Sequence, residues 1–327
     1  MKKLLSILLV LVLAFSFVAC NENNNDNGKK NDSKEVNEPV ENEEPADKDD
    51  QDEEVALFPV TLTDTVGREV RLEAEPMKII SLTPSLTETV YAFGLGDRLV
   101  GRSSFCDFPA EVADVTDLGP LSDPNIEMII ALEPDVVLMS THYSEEVVAS
   151  LEEAGIPVVI LLAQETFDGV YEILNLFGQV VGAPETAETI VTEMKEEVDY
   201  LTNAVKDVEK KTVYYALWFG NGDSTATGDT FIHQMLVMAG LENIAADAKD
   251  WGYNLETLLE KDPHFVILSD KYDYKTNFMT SEGYMELTAV KEDRVLELDT
   301  NLLDRQGPRL VEGLRALIEL MNPEALQ

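Results

Sequence analysis

The sequence contains an internal repeat that constrains its fold more than any other feature. The segments NIEMIIALEPDVVLMS, starting at Asn125, and NLETLLEKDPHFVILSD, starting at Asn254, align without a gap. Both read Asn, an aliphatic residue, Glu, any residue and two aliphatic residues, and after three more residues a Pro precedes a predicted strand that ends in Ser. The repeat therefore predicts two related lobes. It also places Glu127 and Glu256 near the starts of equivalent helices, where a carboxylate suits the helix dipole.

The rest of the chain predicts an α/β fold with parallel sheets. The apolar run KIISL (78–82) precedes a helix in which Thr83 can act as the N-cap and Pro84 as the first helical residue. Alternatively, Ser85 and Glu88 can form a capping box. The strands DVVLMS and IPVVILL flank the helical SEEVVASLEEAG, which is a βαβ pattern, and the same alternation resumes after residue 212 with TVYYALWFG and HFVILSD.

A long helix is predicted midway between the two lobes. The segment PETAETIVTEMKEEVDYLTNAVKDV starts at Pro184 and places five apolar residues at spacings of three and four. These are Ile190, Met194, Val198, Leu201 and Val205. We interpret this segment as a rod between the lobes, with a helix belonging to one lobe as the alternative.

The N-terminal segment is typical of an exported lipoprotein. Two lysines precede an apolar run that ends at Phe17-Val18-Ala19-Cys20, which resembles a lipobox with Cys20 as the lipidated residue. An uncleaved membrane anchor is the alternative. Residues 21–54 contain 14 Asp or Glu, 4 Lys and no aromatic residue, which predicts a disordered tether. A lipidated Cys20 would leave Cys106 without a disulfide partner.

We therefore divide the chain into a signal peptide (1–19), a lipidated cysteine with an acidic tether (20–54), an N-terminal lobe (55–165), a helical connector (166–210) and a C-terminal lobe (211–327). The net charge of −39 argues against nucleic-acid binding.

Several motifs in this order resemble the substrate-binding proteins of ABC importers for vitamin B12, iron siderophores and haem. They are KIISLTPSLTETVYAFGLGDRLVGRSSFCDFP, DPNIEMIIALEPDVVL, GLENI, NLETLLEKDPHFVIL and DRQGPRLVEGL. The resemblance implies two Rossmann-like α/β lobes joined by a single long helix, with the ligand in the cleft between them. It also implies a permease and an ATPase as partners, with Glu127 and Glu256 docking on permease arginines.

The loop SSFCDFP (103–109) is most similar to the aromatic loop of the cobalamin-binding members, which makes cobalamin the first candidate ligand. The resemblance assigns Phe105, Trp251 and Arg305 to the pocket, whereas Leu121, Thr225 and Asn301 replace the family's tryptophan, phenylalanine and aspartate. Neighbouring positions add further candidates, since His142 follows a predicted strand and two aromatic residues end another. The candidate ligand contacts are Phe105, Asp107, Leu121, His142, Trp218, Phe219, Trp251, Asn301 and Arg305.

Other readings remain open at this point. Haem could use His142 or Tyr143, and an anionic siderophore could use arginines such as Arg98, Arg102, Arg305 and Arg309. A surface enzyme is a remote alternative, because no GxSxG or GxxxxGK[ST] motif occurs and Asp107 disfavours a Cys106 thiolate. We expect no catalytic residue, metal site or cofactor, and a monomer held outside the cytoplasm by its lipid.

Overall fold

The protein is described from a computed structural model that defines residues 57–220 and 222–327. The predicted signal peptide, Cys20 and the acidic tether lie outside these residues. Within the described part of the chain, no helix combines the length and the apolar character needed to cross a membrane.

The first lobe is built around a parallel sheet. A hairpin of β1 (Val60–Thr63) and β2 (Glu69–Leu72) precedes β3 (Ile79–Ser81), β4 (Leu99–Arg102), β5 (Thr116–Asp117), β6 (Val136–Met139) and β7 (Val158–Ile160). The sheet order is β5-β4-β3-β6-β7, and all its pairs are parallel. The helices are α1 (Pro84–Ala92), α2 (Ile126–Leu132) and α3 (Glu145–Glu153). Every residue of β3, β6 and β7 is buried, as expected for a sheet covered on both faces.

Two helices follow the first lobe, α4 (Phe167–Val180) and α5 (Pro184–Val205). The predicted long helix is confirmed, and it begins at Pro184 as expected. Met194, Val198, Leu201 and Val205 are buried on one face of α5, which packs against α4 and against a helix near the C-terminus.

The second lobe has a mixed sheet. Its strands are β8 (Lys211–Trp218), β9 (Asp223–Thr225), β10 (Leu241–Asn243), β11 (Gly252–Tyr253), β12 (Phe265–Ser269) and β13 (Val295–Leu298). The order is β11-β9-β8-β12-β13, with β10 also paired to β8. β10, β12 and β13 run parallel to their neighbours, whereas β9 and β11 are antiparallel. β9 lies within the glycine-bearing segment GNGDSTATG.

The helices of the second lobe are α6 (Phe231–Met238), α7 (Leu255–Lys261), α8 (Tyr274–Thr280), α9 (Thr288–Lys291), α10 (Asn301–Asp304) and α11 (Leu310–Met321). Among the described residues, four 3-10 helices cover Gly96–Arg98, Ala110–Asp114, Tyr284–Glu286 and Pro323–Leu326. α11 is the helix that contacts α5, so the connector packs on elements that follow β13 in the chain.

The sequence repeat corresponds to a structural repeat. The side chain of Asn125 accepts the Met128 N–H at the start of α2, and that of Asn254 accepts the Thr257 N–H at the start of α7. Both helices end at an acidic residue in the left-handed conformation, and both lead into the strand next to one edge of their sheet, β6 or β12. The two-lobe architecture predicted from the repeat is therefore confirmed.

Candidate ligand-binding cleft

A cavity of about 510 Å³ lies between the two lobes. The first lobe lines it with residues that follow β6 and β7, and the second lobe contributes residues from the end of β8, the start of α6 and the segment after β13. Ligand sites in α/β folds form at the carboxyl ends of parallel strands because loops from neighbouring strands converge there. The position of this cavity makes it the candidate binding site.

Two lining residues have backbone conformations that are uncommon for their residue types. His142 has φ 64° and Trp251 has φ 61°, both in the left-handed region that non-glycine residues seldom adopt, His more often than Trp. The Trp251 backbone is fixed on both sides, since its N–H donates to Thr227 Oγ1 at 3.1 Å and its carbonyl accepts the Thr225 N–H at 3.0 Å. Strained residues of this kind concentrate at binding sites, where the surrounding structure holds them in place.

The cavity also has two carboxylates in its wall, Glu165 from the first lobe and Asp304 from the second. Glu165 Oε2 accepts the Phe231 N–H at 2.7 Å, and Asp304 Oδ1 accepts the Tyr215 hydroxyl at 3.2 Å. Solvent in the cleft reaches Asp304, but the surrounding protein removes much of the water that a free carboxylate would have. This desolvation raises the pKa of Asp304 to about 6, against the lowering effect of its hydrogen bond from Tyr215.

Beside the cavity, Arg305 joins the two lobes. Its Nη1 donates to Glu88 Oε1 of α1 at 2.7 Å and to Asp107 Oδ1 of the 103–109 loop at 2.6 Å. Arg309 adds a second contact to Glu88 at 3.4 Å, and its guanidinium lies 3.6 Å from the centre of the Phe108 ring. We call these five residues the interlobe clasp. Two sequence candidates, Asp107 and Arg305, thus contact each other across the lobes.

Glu88 is the most buried member of the clasp, with its side chain 2% exposed. Burial raises the pKa of the Glu88 carboxyl, and the hydrogen bond and charge of Arg305 oppose this rise. The capping box proposed for Ser85 and Glu88 is wrong, because the Glu88 carboxylate points to the arginines. The other part of that prediction is confirmed, since α1 begins at Pro84 with Thr83 as N-cap. The Thr83 hydroxyl accepts the Ser140 N–H instead of capping α1.

The candidate aromatic residues occupy different environments. Trp251 lines the cavity. Phe105, in the loop after β4, is 54% exposed, and Trp218, the last residue of β8, is 59% exposed. Phe219 packs edge-on against Tyr274 at 4.9 Å and belongs to an aromatic cluster within the second lobe. The Phe219 ring therefore stabilises the lobe and lies outside the cavity wall.

The three positions that depart from the family's pattern have local roles. Thr225 is fully buried in β9, where its hydroxyl donates to the Tyr215 carbonyl at 2.6 Å. Asn301 is the first residue of α10, and its N–H donates to Asp299 at 3.2 Å. Leu121 is half-buried in the loop after β5. None of the three lines the cavity formed by the described residues.

The remaining arginines, histidines and Cys106 make structural contacts. Arg98 pairs with Glu75 and Arg102 pairs with Asp117. His233 contacts Asn243 and His264 contacts Thr212, and neither lines the cavity. Cys106 is buried, and its sulfur accepts the Thr87 hydroxyl at 3.1 Å. These hydrogen bonds and ion pairs lie within single lobes, and His142 is the histidine that lines the cavity among the described residues.

Glu127 and Glu256 occupy equivalent positions one residue after the first residue of α2 and α7. Both are exposed, and within residues 57–220 and 222–327 neither forms an ion pair. Their carboxylates are therefore available to a basic partner.

Sequence reasoning did not identify Glu88, Glu165, Asp304 or Gln306 as residues of this region. Asp304 and Gln306 flank the candidate residue Arg305 in LLDRQGPR, and this proximity in sequence could have identified them. Glu88 gave a weaker signal, because a glutamate three residues after a serine is also explained by a capping box.

The sequence profile of the family described as periplasmic binding protein matches residues 79–302. The chain is 33% identical over 292 residues to an uncharacterized ABC transporter substrate-binding lipoprotein of Bacillus subtilis, covering 86% of this chain and 92% of the relative. It is 30% identical to a cobalamin-binding protein of Halobacterium salinarum, covering 79% and 72%.

Among solved structures, a protein of Staphylococcus epidermidis described as possibly iron-binding and as a periplasmic solute-binding protein superposes with a TM-score of 0.68 at 29% identity. The match covers 76% of this chain and 99% of that chain. The similarity extends over both lobes and is not confined to one of the two sheets.

Proposed function

The chain belongs to the periplasmic binding protein family, as a substrate-binding protein of an ABC transporter of the vitamin B12, siderophore and haem type, and we propose that its ligand is a corrinoid. Among the corrinoids, the resemblance of the 103–109 loop favours cobalamin. The family consists of transport proteins, and its members work with permease and ATPase subunits. The cobalamin-binding relative in Halobacterium salinarum supports a corrinoid, as does the aromatic 103–109 loop.

The observation that carries this proposal is the charge of the cleft. Glu165 and Asp304 line the cavity, and no lysine or arginine does so among the described residues. Arg305 and Arg309, which an anionic siderophore would need, are engaged by Glu88, Asp107 and neighbouring carboxylates. The cleft therefore suits a ligand with amide donors better than one with carboxylates or catecholates.

Haem is the second candidate, because the His142 imidazole lines the cavity and an imidazole can ligate iron. The propionates of haem would meet the same two carboxylates, which is why we place it second. A ferric siderophore is the third candidate, because its anionic groups would meet the same two carboxylates.

Tryptophan fluorescence tests the ligand. We expect submicromolar cobalamin to quench the emission, with most of the change lost in Trp251→Phe and retained in the matched variant Trp218→Phe. The visible spectrum of the purified protein separates the alternatives, since corrinoids, haem and ferric siderophores absorb differently. Saturable haem or siderophore binding without a response to cobalamin or cobinamide would refute the proposal.

For delivery, we propose that Glu127 and Glu256 dock on basic residues of the permease. The two exposed carboxylates at equivalent positions of the repeat support this role. We also propose that lipidation of Cys20 and the acidic tether hold a monomeric receptor at the outer face of the cell membrane, or at the periplasmic face where the cell has two membranes.

Charge reversal tests the docking proposal. Glu127→Lys with Glu256→Lys should abolish uptake and leave ligand affinity unchanged, because rim charges orient a partner without touching the ligand. Glu188→Lys with Glu193→Lys is the matched control, since both residues are exposed on α5. An equal loss of ligand binding in the first double variant would contradict the docking role.

A further inference from the structure

Three cations around the cleft are paired with carboxylates. Arg305 contacts Glu88 and Asp107, and Arg309 contacts Glu88 and Glu312. On the rim of the second lobe, Lys271 lies 3.1 Å from Asp270 and 3.7 Å from Asp299. Because a carboxylate partner offsets most of the positive charge of each cation, these groups attract an anionic part of a ligand less than an unpaired cation would.

The two carboxylates of the cavity wall, by contrast, can still accept hydrogen bonds from a ligand. Among the described residues, Glu165 accepts the Phe231 N–H and Asp304 accepts the Tyr215 O–H. A carboxylate has about four lone-pair positions, so each can accept further hydrogen bonds from a ligand. The cavity wall thus combines negative charge with lone pairs that can still accept hydrogen bonds.

Corrinoids differ in the chemical groups and the net charge that they present to such a surface. The primary amides around the corrin ring can donate N–H groups to both carboxylates. Complete cobalamin also carries a phosphodiester in its nucleotide loop, and this anion makes cyanocobalamin neutral overall. Cobinamide lacks the nucleotide and its phosphodiester, so aquocyanocobinamide keeps a net positive charge with the same corrin amides.

From this charge arrangement we propose that the cleft prefers corrinoids without the nucleotide-loop phosphodiester, so that cobinamide binds more tightly than cobalamin at the same site. The inference rests on the proposed corrinoid function and specifies its substrate class. Glu165 and Asp304 act as the specificity-determining residues, because they attract the cationic corrinoid and repel the phosphodiester.

Paired titrations test the preference. Aquocyanocobinamide and cyanocobalamin are titrated separately into the purified protein at equal ionic strength, with tryptophan quenching and isothermal titration calorimetry as readouts. We expect cobinamide to bind about tenfold more tightly, which corresponds to about 1.4 kcal/mol. Glu165→Gln with Asp304→Asn keeps an acceptor oxygen for Phe231 and Tyr215 and removes both charges, so the preference should fall towards unity.

Glu193→Gln is the matched control, because it removes a charge from the exposed face of α5 and should leave the preference unchanged. If the double variant does not fold, each single variant should reduce the preference about threefold. Equal or tighter binding of cobalamin by the wild-type protein would overturn the inference and leave the corrinoid function standing. An undiminished preference in folded charge variants would also overturn it, whereas binding of neither corrinoid would refute the proposed function itself.

Discussion

The interlobe clasp allows a quantitative prediction about Glu88. Its carboxylate is 2% exposed and contacts two arginines whose side chains are 12% and 18% exposed. Removing one partner of a buried ion pair costs about 3–5 kcal/mol, because the remaining charge stays buried without compensation. Arg305 keeps Asp107 and Arg309 keeps Glu312. We therefore expect Glu88→Ala to cost about 3 kcal/mol, at the low end of this range.

Two further variants separate charge from hydrogen bonding. Because burial raises the pKa of Glu88, its ionised form is disfavoured by the fold, despite Arg305. Glu88→Gln keeps an acceptor oxygen for Arg305 without burying a negative charge, so we expect it to cost less than about 1 kcal/mol. Asp107→Ala should cost about as little, because the Asp107 side chain is 61% exposed and solvent weakens its ion pair.

Thermal and urea denaturation followed by circular dichroism measure these differences. For a protein of this size, about 3 kcal/mol corresponds to a fall in Tm of about 6–12 °C. The raised pKa of Glu88 also determines the direction in which stability changes with pH. Glu88 should contribute less to the free energy of unfolding as the pH rises from the ordinary pKa of a glutamate through the raised pKa of Glu88. Glu88→Gln should remove this decline. If Glu88→Gln destabilises as much as Glu88→Ala, the reasoning from burial is refuted.

Three other predictions follow from the structure. Asn125→Ala and Asn254→Ala should each cost about 1 kcal/mol in urea denaturation, because each removes one N-cap hydrogen bond; a difference of more than about 1 kcal/mol between them would contradict their equivalence. Affinity for aquocyanocobinamide should fall as pH drops through about 6, since protonation of Asp304 removes a negative charge from the cavity; titrations of Asp304→Asn should show no such fall. Phe177→Ala should cost about 3–5 kcal/mol in thermal denaturation, because the ring is fully buried against Phe93 at 4.7 Å, and a loss below about 1 kcal/mol would contradict this packing.

The sequence alone determined the elements whose signals are local. The repeated Asn, Glu and Pro positions predicted two equivalent helices and strands, and both asparagines cap their helices. Apolar spacing predicted α5 and its start at Pro184. Such features were readable because helix periodicity, capping and buried strands each depend on residues within one or two turns of each other.

Tertiary structure decided which distant side chains meet. Arg305 lies 217 residues from Glu88 and 198 residues from Asp107, and no periodic pattern links positions so far apart. The same holds for the cavity, whose two carboxylates come from different lobes. A glutamate such as Glu88 suits a helix cap and an ion pair equally well in sequence. The choice between them depends on which charges the folded chain brings within hydrogen-bonding distance, and only the packing of the two lobes sets that distance.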